Sequence, residues 1–484
     1  MKKVIADLED VILKEPSLDV ALELAHAYGN LLWFADIGIY DASPLEQALI
    51  SRCASSFDPP GLDIGVAETG TVIHVVTEPY VTGGHTRLME RLARMHEAPV
   101  DLLITKGGSI AAVERVSAYF EKVIQVSALT ANSKVSEIAH VLSRYEKVIL
   151  HIHPDDVYSV IACGLVAGVG RKIFFVNHAD HVFSFGCSVA DYYFELSSYG
   201  RRLDELKVLK GKKSFLGIPI DIPEALWHSE CEPSRDEKLR FVTAGSDIKF
   251  KPVKELSITP LLHKVLRDYP ESTVCVIGSS LRTAYWWWFL KLKYKNRFSV
   301  VSTMPYAEYS MEVSRADFFI DSHPIPGGTA FAEQFIAGRR CVGLVSPLQG
   351  YSPADLLKRV SPDEVMTSIA SYKYPQRVFE MIRDVHSTVN VKSRYIRCIE
   401  DGITSPNLLD TYCEWSGDVG MFRQTRSSLS VDVSVSTFLI LRKLNAQIAI
   451  RLFVSLSFKK QLKLGLKLAM NKLRVFVSSP TDAK

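Results

Sequence analysis

Apolar and polar positions alternate in blocks along most of this chain, and the blocks have the lengths of strands and helices. From about residue 61, short apolar and β-branched runs recur, such as Thr71-Val-Ile-His-Val-Val-Thr77, with helical periodicity between them. Strands that alternate with helices of this length form a parallel sheet with helices on both faces. A first α/β domain at residues 61–220 is therefore predicted, with strands at residues 71–77, 101–105, 123–126, 147–153, 172–176 and 192–196.

A second series of the same kind follows a proline-containing segment. Residues 217–238 carry Pro219, Pro223 and Pro233, which indicates an interdomain linker. A second domain at residues 238–385 is predicted to have a helix at 353–359 and strands at residues 239–243, 272–277, 298–302, 317–320 and 341–345. The predicted fold class is therefore α/β, with two Rossmann-like domains facing across a cleft. Ligands of such sheets bind at the carboxyl ends of the strands, so the cleft is the expected site.

Both flanks of these domains are predicted to be helical. Residues 1–60 indicate a helical cap, which either binds a partner or packs as ordinary core. Residues 386–484 form a helical tail that becomes basic from about residue 433, since residues 433–481 hold nine Lys/Arg and no Asp or Glu. A basic segment of this kind favours contact with an anionic membrane surface.

Residues 458–476 of the tail resemble a helix that lies on lipid. One helical face carries Leu462, Leu466, Ala469, Met470 and Leu473, and another carries Lys460, Lys463, Lys467 and Arg474. Leu464 and Leu468 fall outside the apolar face, and leucines at every second position from 462 to 468 also fit a strand. Two interpretations stay open, contact with a membrane surface and packing on the body of the protein.

Charge, cysteine content and the N-terminal sequence indicate which ligands, redox state and cellular location to expect. A net charge of +3 over 484 residues does not indicate nucleic-acid binding. None of the eight Cys forms a Cys-x-x-Cys pair, which favours reduced thiols over a disulfide framework. The charged N-terminal sequence lacks the apolar region of a signal peptide, and no run of about 18 uncharged apolar residues occurs. The expected location is the cytoplasm, including the inner face of its membrane.

The sequence Asp321-Ser-His-Pro-Ile-Pro-Gly-Gly-Thr-Ala-Phe-Ala-Glu333 has the pattern of an anion site. It joins a predicted strand to a predicted helix through a glycine-rich turn, where free N–H groups and the helix dipole point at a ligand. Glu333 could reach a ribose hydroxyl. The predicted ligand contacts in this domain are Gly245, Lys249, Gly278, His323, Gly327, Gly328, Thr329 and Glu333.

The turn Gly83-Gly84-His85-Thr-Arg87 follows the first strand of the first domain. Its glycines allow the backbone to approach a ligand, and a neutral His85 at the helix start could act as a general base on a hydroxyl. The alternative is a turn with a capping histidine. Arg87 lies one turn further on, where it could contact the same ligand.

Two His/Asp clusters should lie at the same edge of the first sheet, because both follow strands. They are His151-Ile-His153-Pro-Asp155-Asp156 and Asn177-His178-Ala-Asp180-His181. Strand alternation predicts that His151 and His153 point the same way. A metal site is one interpretation. The favoured one is hydrogen bonding of His153, His178 and His181 to a polyhydroxylated ligand or a phosphate, because no metalloenzyme motif accompanies them.

These motifs resemble those of GT-B nucleotide-sugar-dependent glycosyltransferases, over about residues 61–375. Gly83-Gly84-His85 is similar to the turn of the lipid-linked N-acetylglucosamine transferase of peptidoglycan synthesis. Gly328-Thr329-x-x-x-Glu333-x-x-x-x-Gly338 is similar to the family's donor signature. The Pro-x-Pro-Gly-Gly-Thr form also resembles the donor loop of protein glucosamine and glucose transferases. The resemblance implies that Glu333 contacts the nucleotide ribose, that the preceding turn holds the diphosphate, and that Gln349 contacts the donor sugar.

One departure from the family pattern bears on stereochemistry. Retaining members usually carry a second Glu eight residues before the ribose Glu, where this chain has Ile325. The resemblance therefore implies inversion, with His85 as base, no required cofactor or metal, and a UDP-sugar as the expected donor. The implied acceptor is a glycan, a glycolipid or a protein in cell-surface polysaccharide or glycolipid synthesis. The alternatives are a nucleotide-sugar 2-epimerase, a metal-assisted hydrolase, and a non-catalytic sugar-nucleotide-binding protein.

Overall fold

The computed structural model describes residues 1–34, 37–56, 67–81, 83–167, 170–221, 238–413, 415, 419 and 433–478. The chain divides into two compact units. The first comprises Met1–Phe194, Leu203–Lys213 and Ser430–Lys484, and the second comprises Glu195–Arg202 and Ser214–Leu429. Residue 61, where the first domain was expected to begin, and Pro223 and Pro233 of the expected linker lie outside the described residues.

The chain as far as residue 215 supplies a seven-stranded sheet in the order β3-β2-β1-β4-β5-β6-β7. Its strands are β1 Glu68–Val76, β2 Asp101–Ile104, β3 Val123–Gln125, β4 Tyr145–His151, β5 Lys172–Val176, β6 Tyr192–Glu195 and β7 Lys212–Phe215. Its helices are α1 Lys2–Lys14, α2 Leu18–Phe34, α3 Ser43–Ser56, α4 Gly84–Ala93, α5 Ile110–Ser117, α6 Ala131–Leu142, α7 Val157–Val166 and α8 Ser198–Asp204. β1 pairs in parallel with both β2 and β4. The six predicted strands are present, and β7 is an additional one.

The second unit is built on a six-stranded sheet in the order β10-β9-β8-β11-β12-β13. Its strands are β8 Arg240–Ala244, β9 Thr273–Ile277, β10 Phe298–Val301, β11 Phe318–Ile320, β12 Arg340–Leu344 and β13 Lys358–Arg359. Its helices from this point are α9 Asp247–Phe250, α10 Thr259–Asp268, α11 Trp288–Tyr294, α12 Tyr306–Ser314, α13 Thr329–Ile336, α14 Pro362–Ala370, α15 Gln376–His386, α16 Thr388–Asp401 and α17 Leu408–Cys413. The pairings between its strands are parallel. The prediction of two parallel-sheet α/β units is confirmed.

The predicted helix at residues 353–359 is wrong in its second half. Pro353–Leu357 forms a short 3-10 helix, and Lys358–Arg359 then forms β13 beside β12. In this strand the charge of Lys358 has partners inside the unit, at Asp321 and Asp355. A lysine in a helix-like pattern gives no local sign of such a partner.

Helices from both flanks belong to the first unit, and packing on the protein was one of the two interpretations left open for each flank. The last three helices are α18 Val435–Leu444, α19 Ala446–Ser455 and α20 Phe458–Ser478. The side chains of Ser434 and Asn445 cap the first two of them. Apolar residues of the flanking helices share one buried core with the sheet residues Ile73 and Val148. Among them are Leu8, Leu24, Leu45, Leu441, Leu452 and Leu464.

Within the described residues, no helix combines the length and the apolar character that crossing a membrane requires.

Truncation of Leu452 tests whether the last helices stabilise the first unit. Leu452 is buried in its core, whereas Val454 on the same helix is exposed. We expect Leu452→Ala to lower the free energy of unfolding by about 2–5 kcal/mol, because it removes buried methyl groups and leaves a cavity. Val454→Ala should change it by less than about 0.5 kcal/mol. Urea unfolding of the two variants measures the difference, and equal effects would contradict the packing of α19.

Candidate functional site

The first sheet reverses its strand order between β1 and β4, and ligands of such sheets bind outside the strand ends at this point. Asp156 connects three segments at this edge through hydrogen bonds. Its Oδ2 accepts hydrogen bonds of 2.7 Å from the hydroxyls of Thr77, after β1, and of Thr105, after β2. Its Oδ1 accepts from the backbone N–H of Ser159 in α7, at 3.1 Å. Both oxygens of this carboxylate therefore already accept hydrogen bonds within the protein, although the sequence had placed Asp156 in a cluster that could contact a ligand.

His85 lies at the start of α4, directly after Gly83 and Gly84. Its Nε2 is 3.2 Å from the backbone oxygen of Glu78. A carbonyl oxygen can only accept, so Nε2 carries the proton and Nδ1 keeps its lone pair. A Cβ at Gly83 would lie 3.6 Å from Nδ1, and glycine leaves this space open. The turn thus presents a nitrogen that can accept a proton.

Three of the five histidines predicted for this edge come together. The ring centroid of His85 lies 5.5 Å from that of His153 and 5.1 Å from that of His178. Tyr80 lies 5.1 Å from His85 and 5.8 Å from His153, and Trp33 of α2 lies 5.3 Å from His153. We call these five side chains the histidine cluster. Trp33 shows that the N-terminal helices contribute to the site, which no local pattern had indicated.

Burial keeps the imidazoles of the histidine cluster neutral. It lowers the pKa of His85 to about 4, and it lowers the pKa of His153 and of His178 below the ordinary value. A neutral imidazole donates through one nitrogen and accepts through the other. The Nδ1 of His178 and both polar side-chain atoms of Asn177 are buried without a hydrogen-bond partner in the described part of the chain. The edge therefore suits a ligand rich in uncharged hydroxyls.

His151 does not point with His153, as strand alternation had predicted, because β4 ends at His151. The Nε2 of His151 instead lies 3.0 Å from the Nδ1 of His74 on β1, with both rings buried and parallel. Burial lowers the pKa of His74, and it lowers that of His151 to about 3. His151 is thus part of a buried pair inside the sheet.

The remaining predicted contacts of this unit occupy nearby positions. His181 lies beside Asp180, with 3.7 Å between Nδ1 and Oδ1. Arg87 lies in the first turn of α4 and is partly exposed. Over the described ranges, no group of three or more His, Cys, Asp or Glu is arranged to hold a metal ion.

The second sheet reverses its order between β8 and β11, so its ligand edge lies where the loops after these strands meet. The backbone N–H of Ile325 donates to the carbonyl of Lys249 at 3.2 Å, and Lys249 Nζ donates to the carbonyl of Pro326, also at 3.2 Å. Gly278 has φ +88, and a Cβ there would lie 2.7 Å from the carbonyl oxygen of Gly245. The close approach of two strand ends therefore accounts for Gly278 without any ligand.

Asp321 shapes the glycine turn that follows β11. Its Oδ1 accepts hydrogen bonds from the backbone N–H groups of Ser322, at 2.9 Å, and of Gly327, at 2.8 Å. A Cβ at Gly327 would lie 2.7 Å from the same oxygen, so this position requires glycine. Gly328 then takes φ +60 and precedes Thr329, the first residue of α13. The first-turn N–H groups of α13 follow directly, which is the arrangement of an anion site.

Lys358 forms an ion pair with Asp321 and so neutralises its charge. The sequence had not indicated Lys358 as a residue of this site. Its Nζ lies 2.8 Å from Asp321 and 2.6 Å from Asp355, and the side chains of Lys358 and Asp321 are buried. Burial opposes the charge of Lys358, but Asp321 and then Asp355 outweigh it and hold the pKa above its ordinary value. Burial lowers the pKa of Lys249, and Asp321 counteracts that change. The edge therefore holds the buried carboxylate of Asp321, the partly exposed carboxylate of Asp355 and two lysines.

The other predicted donor contacts lie around the same turn. His323 is buried beside Lys358, burial lowers its pKa to about 4, and its Nδ1 has no hydrogen-bond partner within the described chain. Glu333 lies one turn into α13, and Gln349 lies beyond β12; both are partly exposed. Each remains a predicted contact.

Buried neutral histidines predict acid sensitivity. A histidine whose pKa falls from about 6.5 unfolded to 4 or below when folded stabilises the protein fully above pH 6.5, and this stability is lost as the pH falls towards the folded value. Between pH 7 and pH 5 we expect a loss of about 2 kcal/mol of unfolding free energy for each such group. The double variant His74→Leu/His151→Leu should therefore lose less stability over this range, and the exposed His140→Gln should behave as the wild type. Urea unfolding at the two pH values tests this, and parallel pH profiles would contradict it.

Removal of Lys358 tests the buried ion pair. We expect Lys358→Met to lower the free energy of unfolding by about 3–5 kcal/mol, because Asp321 and Asp355 would keep buried charge without a counter-ion. The exposed Lys254→Met is the matched control and should change it by less than about 0.5 kcal/mol. Denaturant unfolding measures both, and an unchanged midpoint for Lys358→Met would contradict the pairing.

Comparison with known proteins identifies the fold of the chain. Neither known family models nor curated proteins match the chain. Among solved structures, Anabaena Alr3699/HepE in complex with UDP and glucose is 12% identical and covers 68% of this chain and 100% of its own, with a TM-score of 0.51. An O-GlcNAc transferase mutant of Thermobaculum terrenum is 14% identical over 91% of this chain and 81% of its own, with a TM-score of 0.45. The UDP-GlcNAc 2-epimerase of Methanocaldococcus jannaschii is 12% identical over 69% and 100%, with a TM-score of 0.43. The likeness to HepE shows that the chain has the GT-B fold, with two α/β units each built on a parallel sheet.

Proposed function

We propose that this protein is a glycosyltransferase that moves a sugar from a nucleotide-sugar donor to a hydroxyl acceptor. The observation that carries the proposal is the glycine turn of the second unit, which Asp321 and Lys358 hold at the N-terminus of α13. Free N–H groups and a helix dipole at a strand-order reversal suit a diphosphate. HepE, which shares the fold, was solved with UDP and glucose bound. A UDP-sugar is therefore the proposed donor.

The glycine turn would act on the leaving group. As the bond between sugar and diphosphate breaks, negative charge grows on the diphosphate oxygens, and oriented N–H groups stabilise it without reorganising. Gly328 and Thr329 lie where these N–H groups begin, and Lys249 supplies a nearby positive charge. Glu333, one turn further, is the proposed contact of the ribose, and Gln349 that of the donor sugar. None of these roles requires a metal ion.

His85 is the proposed general base of the first unit. Its Nδ1 would take the proton of the acceptor hydroxyl while the hydroxyl oxygen bonds to the anomeric carbon and the nucleoside diphosphate leaves. This displacement inverts the anomeric centre, and Ile325 stands where a retaining relative would carry Glu. The lowered pKa keeps His85 unprotonated at neutral pH, so the lone pair is available. His153 and His178 would hold other acceptor hydroxyls.

Gly328 offers a sharp test of donor binding. We expect one of the UDP-, GDP-, CMP- or dTDP-sugars, at a hundred times its dissociation constant, to stabilise the protein by about 2.7 kcal/mol. A Cβ at Gly328 meets nothing in the protein within 4 Å, so Gly328→Ala should abolish this shift by occupying ligand space. Gly70→Ala is the matched control, since Gly70 also has positive φ and open space but lies near the start of β1, in the first unit. The absence of a thermal shift with every donor would contradict the donor site.

The same preparations distinguish transfer from other reactions. With donor and acceptor present, His85→Ala should lower the turnover number by about 10²–10⁴-fold and leave the donor-induced shift intact. His140→Ala, an exposed histidine outside the cluster, is the control. Consumption of the donor without an acceptor, measured by release of nucleoside diphosphate or by change of the sugar, would favour the epimerase or hydrolase instead. Binding without turnover would favour a non-catalytic protein.

A further inference from the structure

The last two helices carry a row of apolar side chains that the protein leaves uncovered. Six of them, spaced four residues apart, are each more than half exposed: Ile450, Val454, Phe458, Leu462, Leu466 and Met470. Single exposed apolar residues are ordinary, whereas four in succession along one helix, from Phe458 to Met470, indicate an interaction surface. We call these six residues the apolar stripe.

A different face of α20 attaches it to the first unit. Leu464 is buried in the core of that unit, and Leu468 packs against the same core. Each lies two positions after a residue of the apolar stripe, which places it about 200° around the helix. The two interpretations of the tail are therefore compatible, because one face packs on the protein and the opposite face stays free. The sequence had placed Leu473 on the apolar face and Arg474 on the face with the lysines, but only the backbone of these two residues is described.

The charges that α20 itself carries beside the apolar stripe are positive, whereas on α19 Arg451, next to Ile450, is paired with Asp7 of α1. Lys459, Lys463 and Lys467 are exposed and each follows a stripe residue, about 100° further around the helix. Residues 433–481 contain no Asp or Glu. A lysine stem can lie along an apolar layer while its amine reaches the polar boundary above it. This surface therefore complements a layer that is apolar inside and negatively charged outside.

The residue types favour lipid over a protein partner. Protein interfaces are enriched in aromatic residues, Met and Arg and are depleted in Lys. Phe458 and Met470 therefore suit either kind of partner, and it is the row of lysines beside them that favours lipid, because helices that lie in a lipid interface combine an apolar face with Lys and Arg.

We propose that α19 and α20 dock the protein on an anionic phospholipid surface, with the apolar stripe in the acyl boundary and the lysines at the headgroup phosphates. This inference stands apart from the transfer reaction, because it rests on a surface that contains none of the residues of the two candidate sites. The body of the protein remains attached to the helices through Leu464 and Leu468.

Vesicle co-sedimentation of the full chain tests the proposal. We expect binding to phosphatidylcholine vesicles that contain phosphatidylglycerol, no binding to phosphatidylcholine alone, and weaker binding as salt rises. The charge reversals Lys459→Glu, Lys463→Glu and Lys467→Glu together should weaken binding by about tenfold or more. The substitutions Leu462→Ser, Leu466→Ser and Met470→Ser together should do the same.

Two matched triple variants control for general changes of charge and hydrophobicity. Lys254→Glu, Lys373→Glu and Lys392→Glu change exposed lysines elsewhere, and Leu129→Ser, Val360→Ser and Val389→Ser change exposed apolar residues elsewhere. Both should bind vesicles as the wild type does, with the thermal unfolding of all variants showing that they are folded. Failure to bind anionic vesicles, or equal losses in the control variants, would overturn the proposal. So would a lipid-independent dimer, seen in analytical ultracentrifugation, that the stripe variants dissociate.

Discussion

The shape of the candidate donor edge depends on the interactions of the Asp321 carboxylate. This carboxylate binds the backbone of the turn at Ser322 and Gly327 and pairs with Lys358 inside the unit. A buried charge is tolerated only when counter-charge and hydrogen bonds surround it, so these contacts must form together. The turn is consequently held in one shape before any ligand arrives, which favours binding because little conformational freedom is lost later.

In the first unit, too, a carboxylate fixes the loops at the ligand edge, but these loops carry different side chains. Asp156 also follows a strand at the point where the strand order reverses, and its hydrogen bonds join Thr77, Thr105 and the start of α7. The loops that it fixes present neutral imidazoles, whereas those around Asp321 present N–H groups and lysines. One carboxylate at each strand-order reversal thus supports the proposed acceptor surface in one unit and the proposed diphosphate surface in the other.

The sequence was informative wherever a local pattern decides the structure. Buried strands such as β1 and β5 are apolar runs of strand length, and the glycine turns stand out between strand and helix. It was uninformative where a distant partner decides. Lys358 pairs with β12 and with the charge of Asp321, and Trp33 contacts His153 from a helix of the N-terminal flank. In α20, periodicity showed one apolar face and left Leu464 and Leu468 outside it, yet these two residues are the ones that contact the core.

The shared core of the first unit has a consequence for how the chain folds. Leu24 and Ile73 pack in one core with Leu441 and Leu452, and the whole second unit lies between them in the chain. During synthesis the second unit is therefore complete before the first can close. Domains usually fold in the order in which they leave the ribosome. Here the middle of the chain can fold first, whereas the surfaces of α2 and α1 that α18 and α19 cover are the last to be buried.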